Sequence, residues 1–355
     1  MAGYVPSAPC WCTLLSQSIR GGAVAKKYLI TGGAGFIGSH LSESLLGRGD
    51  HVVALDNLST GRLANLDLIG NHPSFRFVQG SILDELVVDE AVHECDVIVH
   101  LAAAVGVKLI VEQALRSFTT NIRGSEVVLG SAHRYRRRIL VASTSEVYGK
   151  NNAGPLHETM DRVLGPTSIE RWSYSTAKAV DEILAFLYHR ERGLPAVVAR
   201  FFNTVGPRQS PAYGMVIPRL VRQALAGEPM TVYGDGQQSR TFCHVSDTVR
   251  AIEHLLDEPA AAGEPFNVGG DREVTMLQLA ELIHQRSGSS SEIRLIPYEQ
   301  AFPQGGFEDM RRRVPDTTKV RDLTGWEATR GLEDILDDVM AESEAEQAST
   351  KILGH

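Results

Sequence analysis

The sequence predicts a doubly wound α/β protein, a parallel sheet covered by helices on both faces, with a smaller α/β region interleaved toward the C-terminal end. Two observations carry this. From Lys27 onward, short apolar runs alternate with stretches of helical period, and the runs are rich in Val, Ile and Leu without strict alternation, as in strands buried on both faces. After about residue 203, glycine and proline break the chain into shorter pieces: "GPRQSPAYG", "LAGEPMTVYGDGQQSR", "PAAAGEPFNVGGDREV" and "LIPYEQAFPQGGFED". Irregular connections of that length usually bind something.

Taken in order, "YLIT" opens the sheet and runs into a glycine-rich turn and a helix over 36–48. "HVVAL" and "FRFVQG" come next as strands, then a helix over 84–93 and the strand "DVIVHL". A long helix over 110–134 leads to "RILVAST", and another over 173–192 leads to "AVVARFF". No internal repeat or low-complexity tract interrupts this order.

At 355 residues the chain has room for one large domain or two joined ones, with ample core. A formal net charge of -8 argues against a general nucleic-acid or anionic-membrane partner. The four cysteines, Cys10, Cys12, Cys95 and Cys243, are too scattered for a disulfide framework or a four-ligand zinc site, so no metal is expected and a reducing cytoplasm fits best. Residues 1–25 lack the pattern of a signal peptide and read as a disordered extension, and residues 346–355 read as a polar, frayed tail. No stretch approaches the roughly 20 apolar residues that span a bilayer.

"YLITGGAGFIGSHL" sets Gly32, Gly35 and Gly38 directly after a strand and at the opening of a helix. Glycines there permit a tight turn, close approach of backbone to a pyrophosphate and close helix–strand packing, while the helix N-terminus favours phosphate charge. Asp56 ends the next strand about 20 residues on, where a carboxylate accepts hydrogen bonds from the adenosine ribose and repels a 2′-phosphate. This is the Rossmann arrangement, and it selects NAD over NADP. Asn121 and the "LAAA" run at 101–104 are placed to line the cofactor, or else simply to pack.

"YSTAK" puts Tyr174 and Lys178 four apart, on one helix face. A phenol with an ordinary pKa near 10 is a poor base at neutral pH, and an ammonium one turn away favours its phenolate. Tyr174 then serves as general base for a hydroxyl whose carbon gives hydride to NAD. A second cluster, "STSEVYG", sets Thr144, Ser145 and Glu146 at the end of a buried strand.

The glycine pattern, "STSEVYG", "YSTAK", "RFFNTVGPR" and "FNVGG" together resemble the extended short-chain dehydrogenase/reductases that act on nucleotide sugars, over residues 26–345. The resemblance implies a dinucleotide domain of residues 26–202, joined by 236–262, and a nucleotide-sugar domain of 203–235 and 263–345. It implies cofactor contacts from Gly32, Gly35, Phe36, Ile37, Gly38, Asp56, Asn57, Ser81, Ile82, Leu101, Ala102, Ala103, Asn121, Ser143, Tyr174, Lys178 and Phe201. Ser81 departs from the family, in which an acid commonly approaches the adenine there. Catalysis is implied for Tyr174, Lys178, Thr144, Ser145 and Glu146. Thr144 shares the sugar 4-hydroxyl with the tyrosine, and Asn203 and Arg240 hold the diphosphate. Thr204, Arg208, Val216, Arg219, Val232, Tyr233 and Arg313 complete the sugar and uracil contacts. A homodimer through the helices at 110–134 and 173–192 is implied by the same analogy.

All these enzymes make a 4-keto sugar and differ in its fate. Ser145 stands where dehydratases of the family place an aspartate, which disfavours dehydration. "GPTSIERWSYSTAK" and "GGFEDMRRRVPD" resemble UDP-glucuronate decarboxylases, and place Arg313 near a sugar carboxylate. "HLAAAVGVK" resembles 4-epimerases, and the closest likeness is to the UDP-glucuronic acid 4-epimerases of antibiotic biosynthesis. The expectation is therefore 4-epimerisation of UDP-glucuronate, with decarboxylation as the alternative and Arg208, Thr204 and Ser145 as a clamp that holds the carboxylate against CO2 loss. A non-catalytic dinucleotide sensor would be expected to lack the Tyr174 and Lys178 pair.

Overall fold

The computed structural model describes residues 24–106, 113–211, 215–301 and 308–353, with side chains described as far as residue 348. Most of the extension expected over 1–25, Cys10, Cys12, the first turn of the helix expected from 110, and residues 354–355 lie outside the described residues.

Six strands are those expected: β1 (Lys27–Thr31), β2 (His51–Asp56), β3 (Phe75–Gln79), β4 (Val97–His100), β5 (Arg138–Thr144) and β6 (Ala196–Phe201). They are joined by α1 (Phe36–Gly47), α2 (Glu85–His93), α3 (Ala114–Arg134) and α4 (Arg171–Arg192). The sheet is wholly parallel and seven-stranded, in the order Pro265–Val268, β6, β5, β4, β1, β2, β3. Its seventh strand corrects the expected boundary: Pro265–Val268 falls in the stretch assigned to the sugar domain but pairs with β6. The buried strands feed a core on each face, which is why they do not alternate. Tyr28 and Ile30 pack with Leu41, Leu45, Ile252 and Phe266, while Leu29 between them packs with Val88, Leu129 and Ala185 on the other side. Each such side chain contributes about 1.5–3 kcal/mol by leaving water.

The connections reverse direction between β1 and β4, and a crevice opens beyond the C-terminal ends of these strands, the usual ligand position in such sheets. Over it lies a second lobe with its own core, including Leu220, Val221, Met230, Leu279, Ile283, Ile335 and Leu336. In that lobe the strand Ser239–Arg240 pairs with Val274–Thr275 on one side and with Arg312–Arg313 on the other, which sets Arg313 beside Arg240. The tail expected at 346–355 is instead helical as far as Leu353, at the end of the helix Leu332–Leu353.

Candidate active site

One continuous cleft of about 1130 Å³ runs from the glycine turn after β1 to the helix Val216–Leu225. A single small-molecule site spans about 300–1,000 Å³, so the cleft has room for more than one ligand.

At the sheet end, Gly32 takes φ +73°, and a side chain on it would put a Cβ 2.9 Å from Ala102 N. A Cβ on Gly38 would run into Gly32 O, so α1 and the turn touch backbone to backbone. Asp56 is held by Ala34 N at 3.0 Å and Leu58 N at 2.8 Å, and burial pushes its carboxyl up from the usual range. A bare glycine cradle at a helix N-terminus, beside a carboxylate, fits a dinucleotide. Gly35, Phe36, Ile37, Asn57, Ile82, Leu101, Ala102, Ala103, Ser143 and Phe201 line the cleft as expected, although the Ser143 hydroxyl is turned to Glu182. Two expected cofactor residues are not on its wall. Ser81 accepts a hydrogen bond from Leu83 N, and buried Asn121 braces the wall from behind through both polar groups of the Ala104 backbone.

At the catalytic end, β5 stops at Thr144 and a short turn, Ser145–Tyr148, comes next, with the Thr144 hydroxyl accepting from Glu146 N at 3.2 Å. Helix α4 is closed by Gly193 at φ +69°, and His189, Arg190 and Arg192 in its last turn complement its dipole. It carries Tyr174 and Lys178 into the cleft, where both are buried. Lys178 Nζ donates to Ala142 O at 2.9 Å and lies 3.2 Å from Asp181 Oδ2. Burial pushes the Tyr174 phenol far up, and Glu146 and Asp181 push it further, so by itself the tyrosine keeps its proton.

Glu146 is the centre of a charged cluster of which the sequence motifs show only half. Its carboxylate pairs with Arg171 and lies 3.5 Å from Arg313, whose guanidinium also donates to Asn203. Burial alone would raise the Glu146 carboxyl, but Arg171 and then Arg313 outweigh it and hold the acid ionised. Burial and the neighbouring Arg240 lower the Arg313 guanidinium to about 10. Arg240 pairs with Asp309 at 2.6 Å, and Tyr298 donates to the same carboxylate at 2.9 Å. Three guanidinium groups thus face two carboxylates and leave a surplus positive charge. Arg171 and Asp309 are not among the residues that the motifs single out. Arg171 precedes Tyr174 by three residues, which places it on the same face of α4, and that spacing is the available signal. Asp309 shares its stretch with Arg313 and needs a partner 69 positions away to have meaning.

The carboxylate clamp is not built as expected. Arg208 lines the cleft, but its guanidinium pairs with Glu43 at 2.7 Å and donates to Asn65 O. The Thr204 hydroxyl is turned to Thr248 at 3.0 Å, while buried Ser145 lines the cleft with no such tie among the described residues. At the far end, Val216, Val232 and Tyr233 line the cleft, and the Arg219 guanidinium stacks 4.5 Å from the Tyr233 ring centroid. Asn203, at φ +39°, also donates to Thr241 O at 2.7 Å.

A family model described as GDP-mannose 4,6 dehydratase matches residues 29–339. A UDP-N-acetyl-alpha-D-glucosaminuronate decarboxylase of Bacillus cytotoxicus is 43% identical over 300 residues, 84% of this chain and 91% of the relative. UDP-glucuronic acid decarboxylase 1 of Arabidopsis thaliana is 37% identical over 85% of this chain, which spans 66% of that longer protein. Among solved structures, the UDP-glucuronic acid 4-epimerase of Bacillus cereus, crystallised with UDP-glucuronic acid and NAD, matches with a TM-score of 0.81 at 28% identity, covering 90% of this chain and 99% of that one. With agreement of that extent in sequence and in sheet architecture, the chain belongs to the GDP-mannose 4,6 dehydratase family, the nucleotide-sugar epimerases and dehydratases of the extended short-chain dehydrogenase/reductases.

Proposed function

We propose that the protein uses NAD to oxidise C4 of a UDP-hexuronic acid and then releases the C6 carboxylate as CO2. The observation that carries this reading is the largely shielded Glu146, Arg171 and Arg313 cluster lining the same cleft as Tyr174. When bound, NAD supplies the hydride acceptor and the positive ring whose field, with Lys178, lowers the proton affinity of the Tyr174 phenol. Tyr174 and Thr144 share the sugar 4-hydroxyl, and Tyr174 takes its proton as the C4 hydride leaves. The resulting ketone makes the carboxylate that of a β-keto acid. CO2 departs when the C5–C6 bond aligns with the carbonyl, and Tyr174 and Thr144 hold the enolate oxygen left behind. Arg313, with its lowered proton affinity and its place in the cluster, is assigned to steer the carboxylate and to protonate C5.

The surplus positive charge of the cluster, with Asn203, suits a diphosphate, and the Arg219 and Tyr233 stack suits a uracil edge. The relatives support either glucuronate or its 2-acetamido analogue as the sugar. The second reading is 4-epimerisation without CO2 loss, favoured by the Leu101–Ala103 wall and by the Bacillus cereus neighbour. It needs a firm hold on the carboxylate, and the ties of Arg208 to Glu43 and Thr204 to Thr248 weigh against it. Helices α3 and α4, which expose Leu115 and Ile183, are the proposed dimer face.

The test is to incubate the protein with NAD and, separately, UDP-glucuronate and UDP-N-acetylglucosaminuronate, and to weigh the nucleotide products by mass spectrometry. Decarboxylated product is expected. A new product of unchanged mass would reverse the order of the two readings, and no conversion of either uronate would remove both.

A further inference from the structure

Behind Lys178 lies an acid that neither reaction has used. Asp181 stands one helical turn beyond it, is fully shielded from solvent, and has neither oxygen in good hydrogen-bond geometry among the described residues. Its neighbours are the Lys178 ammonium at 3.2 Å and the Ser125 hydroxyl from α3. We propose that Asp181 is a positioning residue for the Tyr174 and Lys178 pair, a buried carboxylate that offsets the Lys178 charge and so sets the pH at which Tyr174 gives up its proton. This rests on the reading of Tyr174 as the base and holds for either fate of the 4-keto sugar.

The polar chain behind Asp181 has one direction. Ala102 N donates to Thr31 Oγ1 at 3.2 Å, so the Thr31 hydroxyl proton is available for His100 Nδ1 at 2.7 Å. His100 is fully buried, and burial, then the Lys178 charge, lowers its pKa to about 3, so the ring is neutral. With Nδ1 accepting, Nε2 carries the proton and donates to Ser125 Oγ at 3.0 Å. The Ser125 hydroxyl then has its own proton to give to Asp181. Every donor from the cofactor wall at Ala102 as far as Ser125 points toward the side on which this carboxylate lies, an order that suits an anion there. Burial pushes the Asp181 carboxyl up, while Lys178 and the nearby Ser125 hydroxyl oppose it.

The other charges around the pair are accounted for. Tyr174 feels Glu146 from the turn after β5, Arg313 from the strand Arg312–Arg313, and Asp181 and Arg171 from its own helix. Asp181 feels Lys178 and Glu182 from its own helix, and Glu182 is committed to Arg200 and Ser143. Arg171 and Arg313 are paired with Glu146, and among the described residues the carboxylate paired with Lys178 is Asp181.

The test reads Tyr174 directly. NAD-loaded protein is titrated with pH while phenolate absorbance is tracked in the near ultraviolet, for the wild type, Tyr174→Phe, Asp181→Asn and Asp181→Ser. The step that belongs to Tyr174, below the range in which the other eight tyrosines ionise, is expected to be missing from Tyr174→Phe and to move about one pH unit lower in Asp181→Asn, since a negative charge opposing the phenolate is gone. Asp181→Ser removes the same charge with a smaller side chain and is expected to shift the step in the same direction. A purely structural role would lower stability and leave the midpoint alone, so coincident midpoints for wild type and Asp181→Asn overturn the inference. If Asp181→Asn does not fold, an unmoved midpoint in Asp181→Ser overturns it. A low-pH step that survives in Tyr174→Phe removes the base reading itself, and the inference with it.

Discussion

His100 shows how much a single side chain here depends on partners the sequence does not put beside it. It is buried and neutral, with its pKa lowered from 6.5 to about 3. The unfolded chain therefore takes up a proton near pH 6.5 that the folded protein refuses, and the native state loses stability as pH falls below that point. The slope for one such group is about 1.4 kcal/mol per pH unit. His40, lowered to about 4 by burial, adds a slope of the same sign. His100→Gln is expected to be less stable than wild type at pH 7 and to lose less between pH 7 and pH 5, measured by urea unfolding at both values. Equal losses in the two proteins would mean that His100 is charged in the native state. Residues with local meaning are legible in the sequence: Asp56 from its place after a strand, and Tyr174 and Lys178 from a helical spacing. Arg171 and Asp181 are not, because a buried charge is recognised by its counter-charge. The partner of Arg171 lies 25 positions away, and Asp181 stands three beyond Lys178, a spacing at which most ion pairs are solvated.

The elements are legible almost to the residue where an apolar run is buried on both sides, as in β5 over Arg138–Thr144. They are not where a strand has two residues, as in Ser239–Arg240 and Arg312–Arg313, since so short a ladder leaves no period in the sequence. That second kind of element nevertheless delivers Arg313, while Arg311 and Arg312 beside it spend their charge on Asp235 and Glu273 at the surface. The turn from β1 into α1 combines a legible pattern with a demand the pattern alone does not quantify. At Gly38 a Cβ would meet the carbonyl of Gly32 and come within 2.9 Å of Gly33 Cα, and both are backbone, which has nowhere to move. Gly38→Ala is expected to cost about 1–3 kcal/mol of stability and to weaken NAD binding at least tenfold, as α1 backs away from the turn. Urea unfolding and NAD-induced quenching of intrinsic fluorescence check both. Wild-type affinity in the variant would mean that the turn and α1 can separate without opening the cradle.

The two lobes that composition suggests are tied together more closely than a division near residue 202 implies. The face of the main sheet that carries Tyr28, Ile30, Leu140 and Val197 is covered by Val249, Ile252, Leu255 and Leu256 of the helix Val245–Asp257 and by Trp326, and its edge is completed by Pro265–Val268. A chain ending at residue 202 would leave β6 as an open edge and expose the part of that face that α1 does not cover. Each uncovered large side chain forgoes about 1.5–3 kcal/mol, and a few of them together match the whole margin of about 5–15 kcal/mol that ordinary domains possess. The fragment 24–202 is therefore expected to be aggregated or molten and to bind no NAD, although it contains Gly32, Asp56, Tyr174 and Lys178. In the full chain, urea unfolding monitored by tryptophan fluorescence and by far-ultraviolet circular dichroism is expected to give one coincident transition. Two of the three tryptophans report on separate places, Trp172 beside Glu308 at the start of α4 and Trp326 against the helix Val245–Asp257. A soluble fragment that binds NAD, or two separated transitions, would mean that the dinucleotide half stands alone and that the C-terminal residues only decorate it. Coincident transitions would mean that the lobe that brings Arg313 to Glu146 also holds the sheet closed, so that the site cannot be lost without the fold.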